Sequence, residues 1–206
     1  GKADNWWGPV GVSGPCGPDT EMFYDTNPDE KGPIDPSSNP RFVEIWNDVF
    51  MQYEKQKDGS FKELKQKNVD TGMGLERITK VLQKAPTVYE TDLFLPILEK
   101  IESLSNYYQD KSARIIADHI RASVFLISDG VIPSNVERGY ILRRLIRRII
   151  RHAALIKIES DFFETLTKTV VKIYAAIYPN LEDRQNSIVA ELKKEEQKFK
   201  KALTAG

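Results

Sequence analysis

The decapeptide VDTGMGLERI, residues 69–78, sets a carboxylate (Asp70), two glycines one residue apart (Gly72 and Gly74) and a guanidinium (Arg77) in one short run. A carboxylate at the end of a strand can hold an ammonium group. Glycines beside it let a flat ring or a phosphate approach the backbone, because no Cβ stands in the way. An arginine one turn into a following helix can reach a phosphate with a fork of donors. The alternative is an ordinary strand-to-helix turn, in which glycine supplies a positive φ and Asp70 caps the helix.

Further polar and aromatic residues bear on the same region. Asn47 falls on a strand face between Ile45 and Val49. A buried polar group there must be hydrogen-bonded, by ligand or by protein, and protein is the commoner partner. Trp6 and Trp7 can wall an apolar pocket, although tryptophans belong more often to a core. Cys16, set between glycines and prolines, reads as a packed thiol. His119 and His152 fall within helical patterns, and nothing resembles a Ser/His/Asp triad.

A second cluster is cationic. Residues 138–151 hold six arginines and no acid: Arg138, Arg143, Arg144, Arg147, Arg148 and Arg151. On a helical wheel Leu142, Leu145, Ile146, Ile149, Ile150, Ala153 and Ala154 share one face, with Arg143, Arg144, Arg147, Arg148 and Arg151 opposite. Such a stripe suits phosphates. It is equally what a solvated helix carries when acids such as Glu159, Asp161 or those of the last helix pair with it. Ser134 with Glu137 fits a capping box, which puts Asn135 in the first helical turn. An asparagine at such an exposed end is of the type that reads base edges.

These clusters need elements to position them. Residues 1–40 are rich in Gly, Pro, Asn and Asp and read as structured loop with a short strand at 21–25. Residues 41–55 form the best strand. Both of its faces carry bulky apolar residues, so it is expected to be central with both faces covered. Asp58-Gly59 supplies a hairpin turn to return strands at 61–64 and 67–71, which makes the pairing antiparallel. The period then becomes helical: 75–84, 91–104, 112–129, 135–157, 160–178 and 181–203. Ser112 and Ser160 are expected N-caps, Gly130 a C-cap and Pro179 a stop. The fold class is therefore α+β, a strand-rich part at 1–88 followed by an all-helical part at 89–206.

Composition narrows the function. The chain has 206 residues, with 40% hydrophobic and 29% charged residues, enough for a real core. No run of 18 apolar residues suggests a membrane span. A single cysteine excludes an internal disulfide and fits a reducing, cytoplasmic compartment. Two histidines and that one cysteine, far apart, argue against a zinc site. Net charge is zero, so the arginines are a local asymmetry.

Five stretches now carry a resemblance. NWWGPVGVSGPCGPDTEMFYD, VEIWNDVFMQYEKQKDGS, VDTGMGLERI, YETDLF and RIIADHIRASVFLISDGVIPSNVERGYILRRLIRR closely resemble the alanyl-tRNA synthetases, in that family's order and spacing over nearly the whole chain. The resemblance implies part of a class II synthetase antiparallel sheet, with GMGLER as the third signature motif, followed by a helical tRNA-recognition domain. It implies ATP, Mg²⁺, alanine and the acceptor stem of tRNA(Ala) as partners, and no membrane. Position by position, Asp70 is similar to the carboxylate that holds the alanine ammonium. Trp7, Asn47 and Val49 resemble the pocket around that substrate. Gly72 and Gly74 match the glycines along the adenine, and Arg77 the arginine on the ATP phosphates. Asn135 matches the asparagine that reads the acceptor-stem wobble pair, with the arginine helix beside it.

The chain departs from the family pattern at Val12-Ser13, usually Asp-Thr, at Asp19, often Cys, and at Glu137, often Asn. Neither the first nor the second signature motif is found, nor the editing domain. The resemblance therefore implies an internal segment of a longer chain, inactive alone. The competing expectation is a non-catalytic RNA-binding relative.

Overall fold

The computed structural model describes residues 5–9, 11–36, 38–159 and 161–204. The chain divides into two compact units, Gly1–Val88 and Tyr89–Gly206. Among the described residues no helix is long and apolar enough to cross a membrane.

The first unit is an antiparallel four-stranded sheet in the order β1-β2-β3-β4, with one helix. The strands are β1 (Trp6–Trp7), β2 (Gly14–Asp25), β3 (Phe42–Lys55) and β4 (Phe61–Met73). The helix α1 spans Leu75–Gln83. The hairpin between β3 and β4 forms where the Asp-Gly pair predicts it. Asp58 Oδ1 accepts from the Ser60 amide at 2.9 Å and from the Ser60 hydroxyl at 2.6 Å. Gly59 sits at φ +85°, a conformation that favours glycine. The bonds from Ser60 hold the Asp58 carboxyl below its ordinary pKa.

β4 is one continuous strand rather than two. Its pairing slips between Met51↔Asn68 and Tyr53↔Glu63, so extra β4 residues bulge out at 64–67. That bulge lies where the sequence pattern suggests a break. β2 likewise extends well ahead of the expected 21–25, because Gly14–Cys16 pair with Tyr53–Lys55 despite their prolines and glycines.

β3 is central in the ladder, but its two faces are not both covered. Val49 and Met51 are buried, whereas Phe50 on the other face is exposed. Nearly all of β4 is exposed, with Leu64 half-buried. The apolar residues on β3 therefore reflect strand propensity more than burial. Trp6 belongs to packing: its ring stacks on Tyr53 at 5.7 Å and meets Phe61 edge-on at 5.7 Å. Cys16 is fully buried, as a packed thiol should be. Gly17 is required beside it, because a Cβ there would lie 1.9 Å from the Phe50 carbonyl oxygen.

The second unit is helical: α2 (Leu95–Leu104), α3 (Asp110–Ser128), α4 (Glu137–Leu155), α5 (Phe162–Tyr174), α6 (Asn180–Asp183) and α7 (Gln185–Thr204). α3 packs against all the others, and its apolar stripe of Ile116, Ile120, Val124 and Ile127 is buried. Fully buried Leu142, Ile146 and Phe163 meet it in the core. Each such side chain contributes about 1.5–3 kcal/mol of burial. Tyr174 donates its hydroxyl to the Leu93 carbonyl at 3.2 Å and accepts from Arg121 at 3.2 Å, tying the YETDLF segment to α5 and α3.

Several expected helix ends shift. Ser112 lies inside α3 and is buried; Gln109 holds the N-cap position. Its hydroxyl serves His152 Nδ1 at 3.1 Å instead. Gly130 sits one residue past the Asp129 C-cap at φ +86°. There its N–H bonds to Ile127 O and that of Val131 to Leu126 O, the two bonds of a Schellman ending. Pro179 opens α6 rather than stopping α5, which ends at Tyr174. The expected cap at Ser160 lies outside the described residues.

Candidate functional site

In the sheet unit the register builds the site. Asn47 pairs with Gly72 and Val49 with Asp70 across β3 and β4. On the other side of β3, Glu21 pairs with Asn47 and Asp19 with Val49. Two adjacent rows result, Glu21–Asn47–Gly72 and Asp19–Val49–Asp70, so residues more than twenty positions apart become neighbours.

These rows border a cleft of about 500 Å³ lined in part by Trp7, Asn47, Val49, Asp70, Gly72, Gly74 and Arg77. The seven residues that the resemblance relates to alanine and ATP thus border one cavity, whereas Trp6, also offered as a pocket wall, does not line it. A neighbouring lobe of about 670 Å³ shares Trp7, Met51 and Asp70 and adds Ser13, Gln66 and Asn68.

The ordinary turn reading of VDTGMGLERI fails in two respects. Neither Gly72 nor Gly74 has a positive φ; Gly74 is extended at φ −75°, ψ 107°. The helix that follows has no side-chain cap bond, so Asp70 does not cap it. A Cβ at Gly72 would meet nothing within 4 Å, so packing does not demand glycine there either. At Gly74 a Cβ would stand 3.3 Å from Arg77 Cδ, because the arginine folds back over it.

Arg77 is not free. Its guanidinium bonds Glu44 Oε2 at 2.5 Å and reaches the Glu44 carbonyl at 3.4 Å. Glu44 is a cleft residue that the sequence pattern misses. Strict alternation assigns it to the opposite face from Asn47. An irregularity between Met22↔Trp46 and Phe23↔Glu44 adds one residue at Ile45 and turns Glu44 toward the cleft. No sequence signal marks that bulge. Asn47 takes its partners from β2: its amide nitrogen donates to Asp19 Oδ2 at 3.2 Å and to Glu21 Oε1 at 3.4 Å.

The helical unit carries the cationic candidate. Leu142, Ile146, Ile149, Ile150 and Ala153 of α4 are buried, Leu145 is half-buried and Ala154 is exposed. Arg138, Arg144, Arg148 and Arg151 are exposed and, among the described residues, make no ion pair. Arg147 differs: its Nε bonds Glu195 Oε1 of α7 at 2.8 Å, and its guanidinium lies 5.0 Å from the Phe199 ring. Glu195 is 4% exposed, so this arginine neutralises a buried acid.

The start of α4 departs from expectation. Val136 is the N-cap residue and no side chain caps the helix, so the Ser134–Glu137 box does not form. Ser134 Oγ instead accepts from the Val136 N–H at 3.3 Å and donates to its carbonyl at 3.0 Å. Asn135 therefore precedes the helix, and its side-chain oxygen accepts from Arg143. Gly139 permits the loop to fold back: a Cβ there would lie 2.3 Å from Ser134 Oγ. Tyr140, exposed between two guanidiniums, has Arg143 at 5.5 Å and Arg144 at 5.8 Å from its ring centroid.

Both histidines sit between α3 and α4. His119 is buried with Nδ1 2.7 Å from Asp118 Oδ2, a contact that lowers the Asp118 pKa. Burial, then the charges of Arg148 and Arg151, push the His152 pKa down. Among the described residues no group of three or more His, Cys, Asp or Glu is gathered to hold a metal ion.

Comparison with known proteins gives the family. The model of the family described as tRNA synthetases class II (A) matches residues 1–206, and the chain belongs to that family. It is 48% identical over 218 residues to the alanine–tRNA ligase of Treponema pallidum, and 47% identical over 223 residues to the chloroplastic/mitochondrial alanine–tRNA ligase of Sorghum bicolor. The alanine–tRNA ligase of Borrelia hermsii is 48% identical over 216 residues. Each match takes in 100% of this chain, which spans 36%, 23% and 36% of those relatives' own lengths.

Proposed function

We propose that the full-length protein activates alanine with ATP and attaches it to tRNA(Ala), in the cytoplasm. In this reading the sheet unit is the closing part of a class II catalytic domain and the helical unit recognises tRNA. The observation that carries the proposal is the convergence of Trp7, Asn47, Val49, Asp70, Gly72, Gly74 and Arg77 on one cleft.

The chemistry follows from their types. Asp70 accepts hydrogen bonds from the alanine ammonium, while Trp7 and Val49 face the methyl group. Gly72 leaves its side of the cleft open to the adenine, and its ordinary φ and empty surroundings support that reading. Arg77 contacts the phosphates, exchanging the Glu44 carboxylate for a phosphate oxygen. Mg²⁺ enters with ATP as part of the substrate and neutralises charge on the leaving pyrophosphate. The alanine carboxylate then attacks the α-phosphorus and pyrophosphate departs, leaving alanyl-adenylate. The terminal ribose hydroxyl of the tRNA next attacks the acyl carbon and AMP leaves. Positioning and charge neutralisation drive both steps, so no histidine or cysteine is needed.

On α4, Arg138, Arg144, Arg148 and Arg151 contact acceptor-stem phosphates, and Asn135 reads a base edge. Arg143 touches RNA beside Asn135, and Arg147 does so with the part of its fork that Glu195 leaves open.

The test is alanine-dependent ATP–pyrophosphate exchange in the full-length protein. Asp70→Ala is expected to abolish it, and near-normal exchange in that variant overturns the assignment. RNA binding with no exchange in the wild type would favour a non-catalytic relative.

A further inference from the structure

We infer that Asp19 and Glu21 are positioning residues that lock the side-chain amide of Asn47, so that its oxygen faces the cleft as a second acceptor for the substrate ammonium. The inference rests on the cleft being the alanine site.

A side-chain amide has one end that donates and one that accepts, and at most sites either orientation serves. Asn47 has no such choice. Glu21 stands directly across the ladder from it and Asp19 one row along, both on β2. The Asn47 nitrogen lies 3.2 Å from an Asp19 oxygen and 3.4 Å from a Glu21 oxygen. Carboxylates accept only, so the NH₂ end must face them, whichever way an amide is first assigned. The carbonyl oxygen is thereby turned to the other side.

That other side is the cleft. Asn47 borders it together with Asp70, which sits one row along on β4. The end of the cavity that receives the ammonium then offers two acceptors, the Asp70 carboxylate and the Asn47 carbonyl, and no donor from Asn47. A flipped amide would aim two positive hydrogens at a positive substrate.

The acids do little for the sheet itself. Asp19 Oδ1 is buried without a hydrogen bond. Such an oxygen costs stability. Its other oxygen accepts from the Asn47 amide.

The test is steady-state ATP–pyrophosphate exchange with the full-length protein carrying Asp19→Asn and Glu21→Gln together. These near-isosteric changes give Asn47 partners that donate as well as accept, so its orientation is released. The KM for alanine is expected to rise about tenfold or more, the scale of a lost hydrogen bond to a charged group. The kcat and the KM for ATP stay within about twofold. Asp19→Glu with Glu21→Asp, which keeps both acceptors, restores most of the alanine KM. An alanine KM within twofold of wild type in the amide variant, or a loss that falls equally on kcat and both KM values, overturns the inference.

Should the amide variant fail to fold, the wild-type protein still decides. The Asn47 side-chain N–H protons are expected to exchange with water markedly more slowly than those of an exposed asparagine. Free-rate exchange overturns the inference. Failure of the underlying reading is separable, because it shows as absent alanine-dependent exchange in the wild type. Wild-type exchange that Asp70→Ala abolishes, beside an unmoved alanine KM in the amide variant, sinks this inference alone.

Discussion

The two units bring their candidate residues together by opposite means. In the sheet unit the cleft is assembled by register: Trp7, Asn47, Asp70 and Arg77 are distant in sequence and meet only because the strands pair in one alignment. In the helical unit the arginines of α4 are neighbours by local period alone, and any helix through 137–155 would present them together. The consequence of failure differs accordingly. A one-residue slip in β3 or β4 would turn that strand's cleft residues to the other face, whereas α4 keeps its stripe as long as it stays helical. The units differ in burial too. The helical unit has a core rich in isoleucine, leucine and phenylalanine, while the sheet unit buries few large side chains.

That contrast can be broken at its strongest point. Phe163 is fully buried in the helical core, and Phe163→Ala is expected to cost about 3–5 kcal/mol in denaturant melts followed by far-ultraviolet circular dichroism. A loss below about 1 kcal/mol would mean that the helical unit does not depend on this core. All three tryptophans, Trp6, Trp7 and Trp46, lie in the sheet unit, so their fluorescence reports that unit separately.

The next contrast lies within the sheet. Gly17→Ala pushes a Cβ into the Phe50 carbonyl, and it should destabilise by about 1–3 kcal/mol or more. Gly72→Ala meets open space and should leave stability within about 0.5 kcal/mol. Its effect should fall on the KM for ATP instead. A destabilising Gly72→Ala with unchanged KM would return that glycine to an ordinary structural role.

The arginines of α4 should also separate. Arg147→Ala strands Glu195 in the interior and is expected to cost about 1–3 kcal/mol. Arg144→Ala, Arg148→Ala and Arg151→Ala should each change stability by less than about 0.5 kcal/mol. Combined, they should flatten the salt dependence of acceptor-stem RNA binding by about 0.9 in log–log slope for each phosphate no longer neutralised. An unchanged slope would make the whole stripe a solvated face.

The smallest effect concerns pH. The His152 pKa is lowered in the folded state by burial and by Arg148 and Arg151. Below the ordinary value of 6.5 the unfolded chain therefore binds more protons than the folded one. Stability should fall as pH drops through that value toward the lower folded pKa, and rise again on returning to neutral. His152→Gln should remove this slope, measured by melting temperature against pH. RNA phosphates that neutralise Arg148 and Arg151 should raise the His152 pKa, and an unmoved NMR titration on RNA binding would place the polyanion elsewhere.

Much of the fold can be read from residue types. The Asp58-Gly59 hairpin, the long strand at β3, the helix after Gly74 and the apolar stripe of α4 all follow local rules, and the structure contains them. Elsewhere a tertiary contact overrides a local signal. Ser112 has the type of an N-cap, but it is buried beneath His152. Ser134 and Glu137 have the spacing of a capping box, but the loop folds back over Gly139 and commits the serine to Val136. The bulge at Ile45 carries no signature, so strict alternation puts Glu44 on the wrong face, and the bulge at 64–67 reads in the sequence as a break that splits β4 in two.

By itself, then, the sequence determined which side chains were available and which lay on one helical face, because a period of 3.6 or 2 is set by backbone geometry within one element. Only the tertiary structure decided how they are committed. It set Asn47 between Asp19 and Glu21, gave Arg77 to Glu44, and tied Arg147 to a buried glutamate while leaving Arg144, Arg148 and Arg151 without ion pairs among the described residues. Such pairings join residues that no local rule relates, and they follow only once strand register and helix packing have fixed what faces what.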